Sequence, residues 1–442
     1  MKKPKFQTPT GMHDILPEEQ KYFQKIYDVC EDIANFYQFQ KIETPTLEET
    51  ELFSRGIGLA TDIVGKQMYN LRTRGGDFLT LRPEGTAPVV RAYIQNGMQN
   101  LPQPVKLWYF CPFFRYEHPQ AGRFRQFWQF GFEVLGEESA VIDAQIIQIF
   151  YNILKELKLK DLIVEVNSIG DSQCRPYYKK LLTSYFRSRE SALCVDCRRR
   201  LRENPLRILD CKEEKCQPVK THAPQLLDHL CEGCKNHFKK VLEFLDELEL
   251  PYRLNPYLVR GLDYYTKTVF EIVAEDKSPV PPPTADQTIE ASPEGKSLGS
   301  LAGGGRYDVL VKVLGGKDTP ASGGAGGVER IIQLMKQKAI RFPKETKTQI
   351  FLAQLGDLAK RKTLRLVEDF KKANIPIAES LGRDSLKVQL KMADKIGIKY
   401  TLILGQKEAL EDMIIIRDMA TGKQEIIKLG KTVREMEKRI KK

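Results

Sequence analysis

The stretch Arg115 to Gly136, RYEHPQAGRFRQFWQFGFEVLG, decides how the chain is read. It carries three arginines (Arg115, Arg123 and Arg125), two spaced acids (Glu117 and Glu133), four phenylalanines and Trp128. An apolar run, Val105 to Phe114 around Trp108, leads into it, and Pro119-Gln120-Ala121-Gly122 is a turn that splits it into two strand-like halves. The pattern predicts a β-hairpin whose arms bear cations and aromatics. Arginine forks match phosphate oxygens, and an aromatic face stacks a nucleobase. Taken alone, the segment is either a nucleotide-binding hairpin or a surface hairpin with solvated charges.

Later segments narrow the choice. Leu258 to Glu271 reads LVRGLDYYTKTVFE, Leu301 to Val311 reads LAGGGRYDVLV, and Gly323 to Arg330 is the glycine run GGAGGVER. With the hairpin, and in this order, they resemble the histidyl-tRNA synthetases, a family of class II aminoacyl-tRNA synthetases. The resemblance runs from about Thr8 to the C-terminus. The hairpin is similar to class II motif 2 and Gly323 to Arg330 to motif 3. Phe39 to Pro45 is similar to motif 1, whose proline lies at the dimer interface of class II enzymes. The Arg-Gly-Leu-Asp-Tyr-Tyr and Gly-Gly-Arg-Tyr-Asp strings are similar to the two peptides peculiar to the histidine enzymes. The resemblance implies an α+β fold: a class II antiparallel-sheet catalytic core with a helical insertion, then a C-terminal α/β anticodon-binding domain. It also implies a homodimeric histidine–tRNA ligase that uses ATP with Mg2+, L-histidine and histidine tRNA.

The organisation of the chain accommodates that architecture. A length of 442 residues allows roughly two to four domains. Residues 1–341 read as the catalytic unit, beginning with an amphipathic helix from Pro17 to Tyr37 and a strand that ends at Pro45. Residues 171–250 read as a charged helical insertion holding seven of the nine cysteines. Residues 278–297, with Pro279, Pro281, Pro282 and Pro283 among polar residues, read as a disordered loop. In residues 344–442, strand signals at Ile350 to Gln354, Ile375 to Glu379 and Tyr400 to Leu404 alternate with helical patterns. A hairpin around Thr421-Gly422 and a closing helix then complete an α/β domain. That domain holds 23 Lys and Arg against 14 Asp and Glu, so +9 of the total +12 sits there, which points to a polyanionic partner or to a soluble lysine-rich surface. No signal-peptide core and no run of membrane-span length is visible, so the expected place is the cytoplasm, with no membrane partner.

Activating an amino acid needs alignment and neutralisation of charge developing on phosphate, not a protein nucleophile. By the resemblance, the catalytic residues are Arg260 and Arg115. Arg260 lies against the α-phosphate where other class II enzymes use a metal ion; read structurally, it is a strand-end arginine paired to Asp263. The ATP-binding set is Arg115, Glu117, Arg123, Phe127 (stacking adenine), Gln129 and Arg330. The histidine-binding set is Glu84, Gly85, Thr86, Gln129, Glu133, Arg260, Tyr264 and Tyr265, with Glu133 and the Tyr265 hydroxyl meeting the two imidazole nitrogens. Two directional partners at opposite ring positions reject apolar isosteres. His118 and Gln120 are expected at the tRNA acceptor end, with His118 departing from the family's usual arginine, and Pro45 at the dimer interface.

Cys194-x-x-Cys197 and Cys231-x-x-Cys234 form two knuckles, with Cys211 and Cys216 between them and His229 and His237 nearby. Two such pairs predict one structural zinc held by Cys194, Cys197, Cys231 and Cys234, with Cys211 or Cys216 as substitute ligands. The plainer alternative is a set of small buried residues. Two rival functions remain: a non-catalytic regulatory paralogue that partners ATP phosphoribosyltransferase, and a class II synthetase for another amino acid. Catalytic positions and the terminal domain count against the first, and the Arg-Gly-Leu-Asp-Tyr-Tyr peptide against the second.

Overall fold

The apolar run becomes a ten-residue strand, Val105–Phe114, and Gln126–Leu135 pairs antiparallel along its whole length, Val105 facing Leu135 and Phe114 facing Gln126. Aromatic and β-branched residues suit this pleated, largely buried surface. Residues 115–119 and 122–125 lie between the strands outside the ladder, so the arginines sit at the hairpin's tip, whereas the sequence had suggested its arms. The tip is closed by the Arg115 amide donating to the Arg125 carbonyl at 2.9 Å.

The computed structural model describes residues 5–58, 61–119, 122–275, 299–340 and 348–440. The expected loop at 278–297 and Gln120 lie outside these. The chain divides into two units, Met1–Ile340 and Arg341–Lys442. In the first, an eight-stranded sheet contains β1 (Gln40–Lys41), β2 (Val105–Phe114), β3 (Gln126–Leu135), β4 (Leu162–Ser168), β5 (Tyr252–Leu254), β6 (Thr266–Ala274), β7 (Ala302–Arg306) and β8 (Ala321–Gly327). Their spatial order is β1-β2-β3-β8-β7-β6-β4-β5. The central pairings are antiparallel, and only the outermost pairs, β1 with β2 and β4 with β5, are parallel. The expected strand from Phe39 to Pro45 is only two residues long, because it is an edge strand with one neighbour and Pro45 brings no N–H to a ladder.

Helices cover the sheet. They include α1 (Pro17–Phe36), α2 (Thr86–Gln95), α3 (Ala140–Glu156), α4 (Cys174–Arg187), α5 (Val195–Glu203), α6 (Glu232–Glu247) and α7 (Val328–Gln337). Phe150 on α3 is fully buried against Phe130, Phe132 and Phe270 of the sheet, with ring centroids 5.8 to 6.0 Å away. Such aromatic clusters contribute roughly 0.5–1.5 kcal/mol per pair beyond area burial. The insertion is α4, α5 and α6, with a long connection before α6 that holds 3-10 turns and a short helix, Gln217–Thr221. Its last helix is tied to the core through His237, whose Nε2 lies 2.8 Å from Asp143, while Asp143 also pairs with the fully buried Arg306 at 2.8 Å. His237 is therefore a docking residue and not a companion of the cysteines.

The second unit is a five-stranded sheet of β9 (Ile350–Gln354), β10 (Ile377–Glu379), β11 (Tyr400–Leu404), β12 (Met413–Asp418) and β13 (Gln424–Lys428). Its order is β10-β9-β11-β12-β13, parallel among the first three and antiparallel beyond. Helices Asp357–Lys372, Leu386–Lys395 and Thr432–Ile440 accompany it. Among the described residues no helix is long and apolar enough to cross a membrane.

Candidate active site

The glycine strands β7 and β8 lie in the middle of the sheet because side chains from neighbouring strands pass over them. A Cβ on Gly323 would stand 1.8 Å from Glu133 Oε2, and one on Gly303 would stand 2.8 Å from an Arg260 nitrogen. The absent side chains open a cleft of about 290 Å³ on this face. Arg115, Arg123, Arg260 and Arg330 line it together with Glu84, Thr86, Glu117, Phe127, Gln129, Tyr264 and Tyr265. Residues more than 200 positions apart thus share one site.

The guanidinium groups are held by carbonyls and carboxylates. Arg115 donates through Nε to the Pro83 carbonyl at 2.8 Å and lies 5.3 Å from the centre of the Phe127 ring. Glu117 lies 4.0 Å from Arg115 and 3.6 Å from Arg123. Arg330 donates to the Ser300 carbonyl at 2.8 Å and to the Gly122 carbonyl at 3.2 Å. Burial, then the neighbouring Arg123, lowers the Arg330 pKa. Arg260 is paired with Glu271, not with Asp263; burial works most strongly against its charge, but Glu271 together with Tyr265, Tyr264 and Asp210 outweighs it and the pKa rises. Arg260 Nε is buried without a hydrogen-bond partner among the described residues. A cleft with converging cations is built for an anion.

The opposite part of the cleft is acidic and phenolic. Glu84 accepts the amides of Thr86 and Ala87 at 2.8 Å, at the start of α2, and the Tyr264 hydroxyl at 3.2 Å. Burial still raises its pKa. Glu133 is fully buried beneath Gly323 and accepts the Thr86 hydroxyl at 2.7 Å and the Tyr307 hydroxyl at 2.5 Å. Desolvation pushes it up to about 8. Tyr265, pushed up to about 12 by burial, has its ring centre 4.7 Å from Tyr264 and 6.5 Å from Tyr307. Gly85 precedes α2 and Gln129 faces the cleft from β3. The site suits a ligand with a cation or N–H donors at one end and phosphate at the other.

Several residues escaped the sequence reading. Glu271 balances Arg260, and Tyr307 holds Glu133. The buried Tyr109 side chain lines the cleft beside Glu133. Glu329 accepts the Trp128 amide with both oxygens, at 2.8 and 3.0 Å, and burial pushes it up to about 8. Tyr307 and Glu271 lie inside the quoted peptides, where their neighbours drew the attention; Tyr109 reads in sequence as one more strand aromatic. His118 and Pro45 are exposed outside the cleft, as surface contacts would require.

The four proposed zinc ligands do not meet. Cys194 and Cys197 group with Cys211 and Cys216, whereas Cys231 and Cys234 group with Asp171 and Cys174. Each knuckle opens its own helix, α5 or α6, and these helices begin at different places on the insertion. Sequence spacing identified the knuckles but paired them wrongly, because partners from Asp171 to Cys216 have no knuckle of their own.

Comparison with known proteins agrees with this geometry. Residues 11–172 match the family model described as histidyl-tRNA synthetase, and residues 349–439 match an anticodon-binding domain model. The histidine–tRNA ligase of Dehalococcoides mccartyi is 42% identical over 435 residues, covering 98% of this chain and 100% of the relative. That of Desulfitobacterium hafniense is 44% identical over 418 residues, covering 95% and 94%. The apo crystal structure of S. aureus histidyl-tRNA synthetase superposes with a TM-score of 0.77 at 33% identity, over 97% of this chain and 99% of that one.

Proposed function

The chain belongs to the histidyl-tRNA synthetase family, and on that premise we propose how its cleft residues carry out the reaction of a histidine–tRNA ligase. The ligase joins L-histidine to its tRNA at the expense of ATP, which enters as its Mg2+ complex. In the first step a carboxylate oxygen of histidine attacks the α-phosphorus of ATP, and pyrophosphate leaves. In the second, a ribose hydroxyl at the tRNA 3′ end attacks the acyl carbon and AMP leaves.

The observation that carries the assignment of roles is the pairing of opposite ends in one cleft: Arg260 and Arg115 near Glu84 and Tyr264. Arg260 and Arg115 neutralise charge as it develops on the α-phosphate, which accelerates the step only because that charge grows in the transition state. Arg123 holds the outer phosphates, Arg330 meets the ATP from the opposite side, Glu117 orients the guanidinium groups, and Phe127 stacks the adenine. Glu84, Thr86 and Gln129 accept the α-ammonium group, beside the backbone of Gly85. Glu133 accepts one imidazole N–H, since each carboxylate oxygen has two lone pairs and only one is used by the Thr86 and Tyr307 hydroxyls. Tyr265 meets the other ring nitrogen, and Tyr264 holds Glu84.

Outside the cleft, His118 and Gln120 meet the tRNA acceptor end. The chain is read as a cytoplasmic homodimer with Pro45 at the interface, residues 1–341 as its catalytic domain and 344–442 as its anticodon-binding domain. The insertion is read as holding structural zinc on the regrouped ligands. Retention of four cleft arginines and of the C-terminal unit leaves no support for a non-catalytic regulatory paralogue. The deciding experiment is ATP–pyrophosphate exchange. It should depend on histidine and not on other amino acids; exchange that ignores histidine would overturn the assignment.

A further inference from the structure

The two cysteine groups of the insertion are built alike. In the first, Cys194 caps α5, its Sγ accepting the Cys197 amide at 3.4 Å, while the Cys194 amide donates to Cys216 Sγ at 3.2 Å. In the second, Cys231 caps α6, its Sγ accepting the Cys234 amide at 3.5 Å, while the Cys231 amide donates to Cys174 Sγ at 3.1 Å. Three sulfurs in the same relation thus occur twice. The fourth ligand atom differs: Cys211 Sγ, 3.9 Å from Cys194 Sγ, in one, and Asp171 Oδ1, 4.0 Å from Cys231 Sγ, in the other.

In each group the ligand atoms all lie within 4.8 Å of one another. Zinc bound tetrahedrally by sulfur at about 2.3 Å has sulfur–sulfur edges of about 3.8 Å. The 3.9 Å edge fits a metal and is far beyond a disulfide bond. Amides aimed at sulfur stabilise thiolates, as such ligands require. A zinc ion with four anionic ligands carries a net −2, which calls for neighbouring cations, and each group has one: Arg200 beside Cys197 and Cys211, and Arg175 beside Asp171 and Cys174.

Arg175 in the second group, and Asn204 and Arg207 in the first, lead to the active-site loop. Arg175 donates to the carbonyls of Ile169, at 3.1 Å, and of Tyr265. Arg200 pairs with Asp62 at 2.8 Å. Between Cys197 and Cys211, Asn204 donates to Asp263 at 3.1 Å and Arg207 to the Arg260 carbonyl at 2.7 Å. Resting on the reading of the insertion as zinc-binding, we propose that it binds two structural zinc ions, one on Cys194, Cys197, Cys211 and Cys216 and one on Asp171, Cys174, Cys231 and Cys234, which fix the Arg260–Tyr265 loop from behind. Both have four protein ligands and no open position, so neither is catalytic. Cross-linking short helices and turns is what such ions do in small metal-organised folds.

The test uses the full chain, produced with zinc in the medium and purified reduced without chelator. Elemental analysis should find two zinc ions per chain, and Cys211→Ser and Cys174→Ser should each retain one. Cobalt replacement should give the intense visible bands of tetrahedral thiolate coordination, a readout that survives if the serine variants fold poorly. Stripping the metal should speed amide hydrogen exchange across 258–265. Metal below one ion per chain, iron in place of zinc, one ion per chain, or unchanged exchange at 258–265 after stripping would each overturn the proposal. Histidine-dependent pyrophosphate exchange, measured on the same preparation, separates the readings: activity without zinc defeats only the metal sites, and two zinc ions without activity defeats only the ligase assignment.

Discussion

Replacing Glu133 by Gln should abolish a pH dependence of histidine binding that the wild-type protein shows. Glu133 is fully buried, and desolvation pushes it up to about 8. With that value about one carboxyl in ten is ionised at pH 7 and about half at pH 8. If the imidazole N–H is accepted by the carboxylate, binding at pH 7 must first remove a proton, which costs about 1.4 kcal/mol, falling to about 0.4 kcal/mol at pH 8. Histidine affinity should therefore rise roughly fivefold between pH 7 and 8, and binding at pH 7 should release nearly one proton. The imidazole of free histidine, with a pKa of about 6.5, is mostly neutral in this window, and loss of the substrate's ammonium charge at higher pH would weaken binding, so neither can mimic the rise. Glu133→Gln keeps an acceptor but has no proton to lose. Its affinity should be flat from pH 7 to 8, and lower at pH 8 by roughly 1–3 kcal/mol, the difference between a charge-assisted and a neutral hydrogen bond. Calorimetry in two buffers of different ionisation enthalpy reads affinity and proton release together. Parallel pH profiles for the two proteins, with no proton released by either, would refute the reasoning.

Arg260→His should slow single-turnover adenylate formation by roughly 100-fold or more while leaving circular dichroism unchanged; a rate within a few-fold of wild type would remove Arg260 from catalysis. A chain ending at Arg341 should retain histidine-dependent exchange but charge tRNA poorly, and its residual charging should depend less steeply on salt because fewer phosphates are neutralised. Loss of exchange in a folded truncated chain would count against that division of labour. Asp143, which burial alone would raise, is pulled down to about 2 by Arg306 and His237. Its folded pKa is below the ordinary 3.8, so its contribution, about 2 kcal/mol, is present above that value and lost as pH falls towards 2. Acid unfolding of Asp143→Asn should accordingly show a weaker pH dependence between pH 4 and 2, and an unaltered slope would exclude this pair as a source of acid lability.

Local sequence determined a good deal. The apolar run before Arg115 and the aromatic run after it could only be long paired strands, since a helix would scatter those side chains around its surface. The terminal domain was legible strand by strand because each signal is short and bounded by turn residues, with Ile350–Gln354 and Tyr400–Leu404 at their expected positions and Ile377–Glu379 starting two residues late. The four cleft arginines were legible because each stands in a peptide with its own recognisable neighbours.

What only the tertiary structure decided are the relations between distant segments. Nothing near Arg260 in sequence says that Glu271, one strand on, balances it, or that Gly303 leaves the room it occupies. Glu133 was named for the histidine pocket from its context alone, whereas its burial under Gly323 and the consequent proton at neutral pH follow from desolvation, which no local pattern encodes. The cysteines make the same point. A Cys-x-x-Cys knuckle is a local motif, because a helix start places its two sulfurs side by side, and sequence shows it. The other two ligands come from wherever the chain folds back, so the sequence named the knuckles while the fold gave each a separate set of partners.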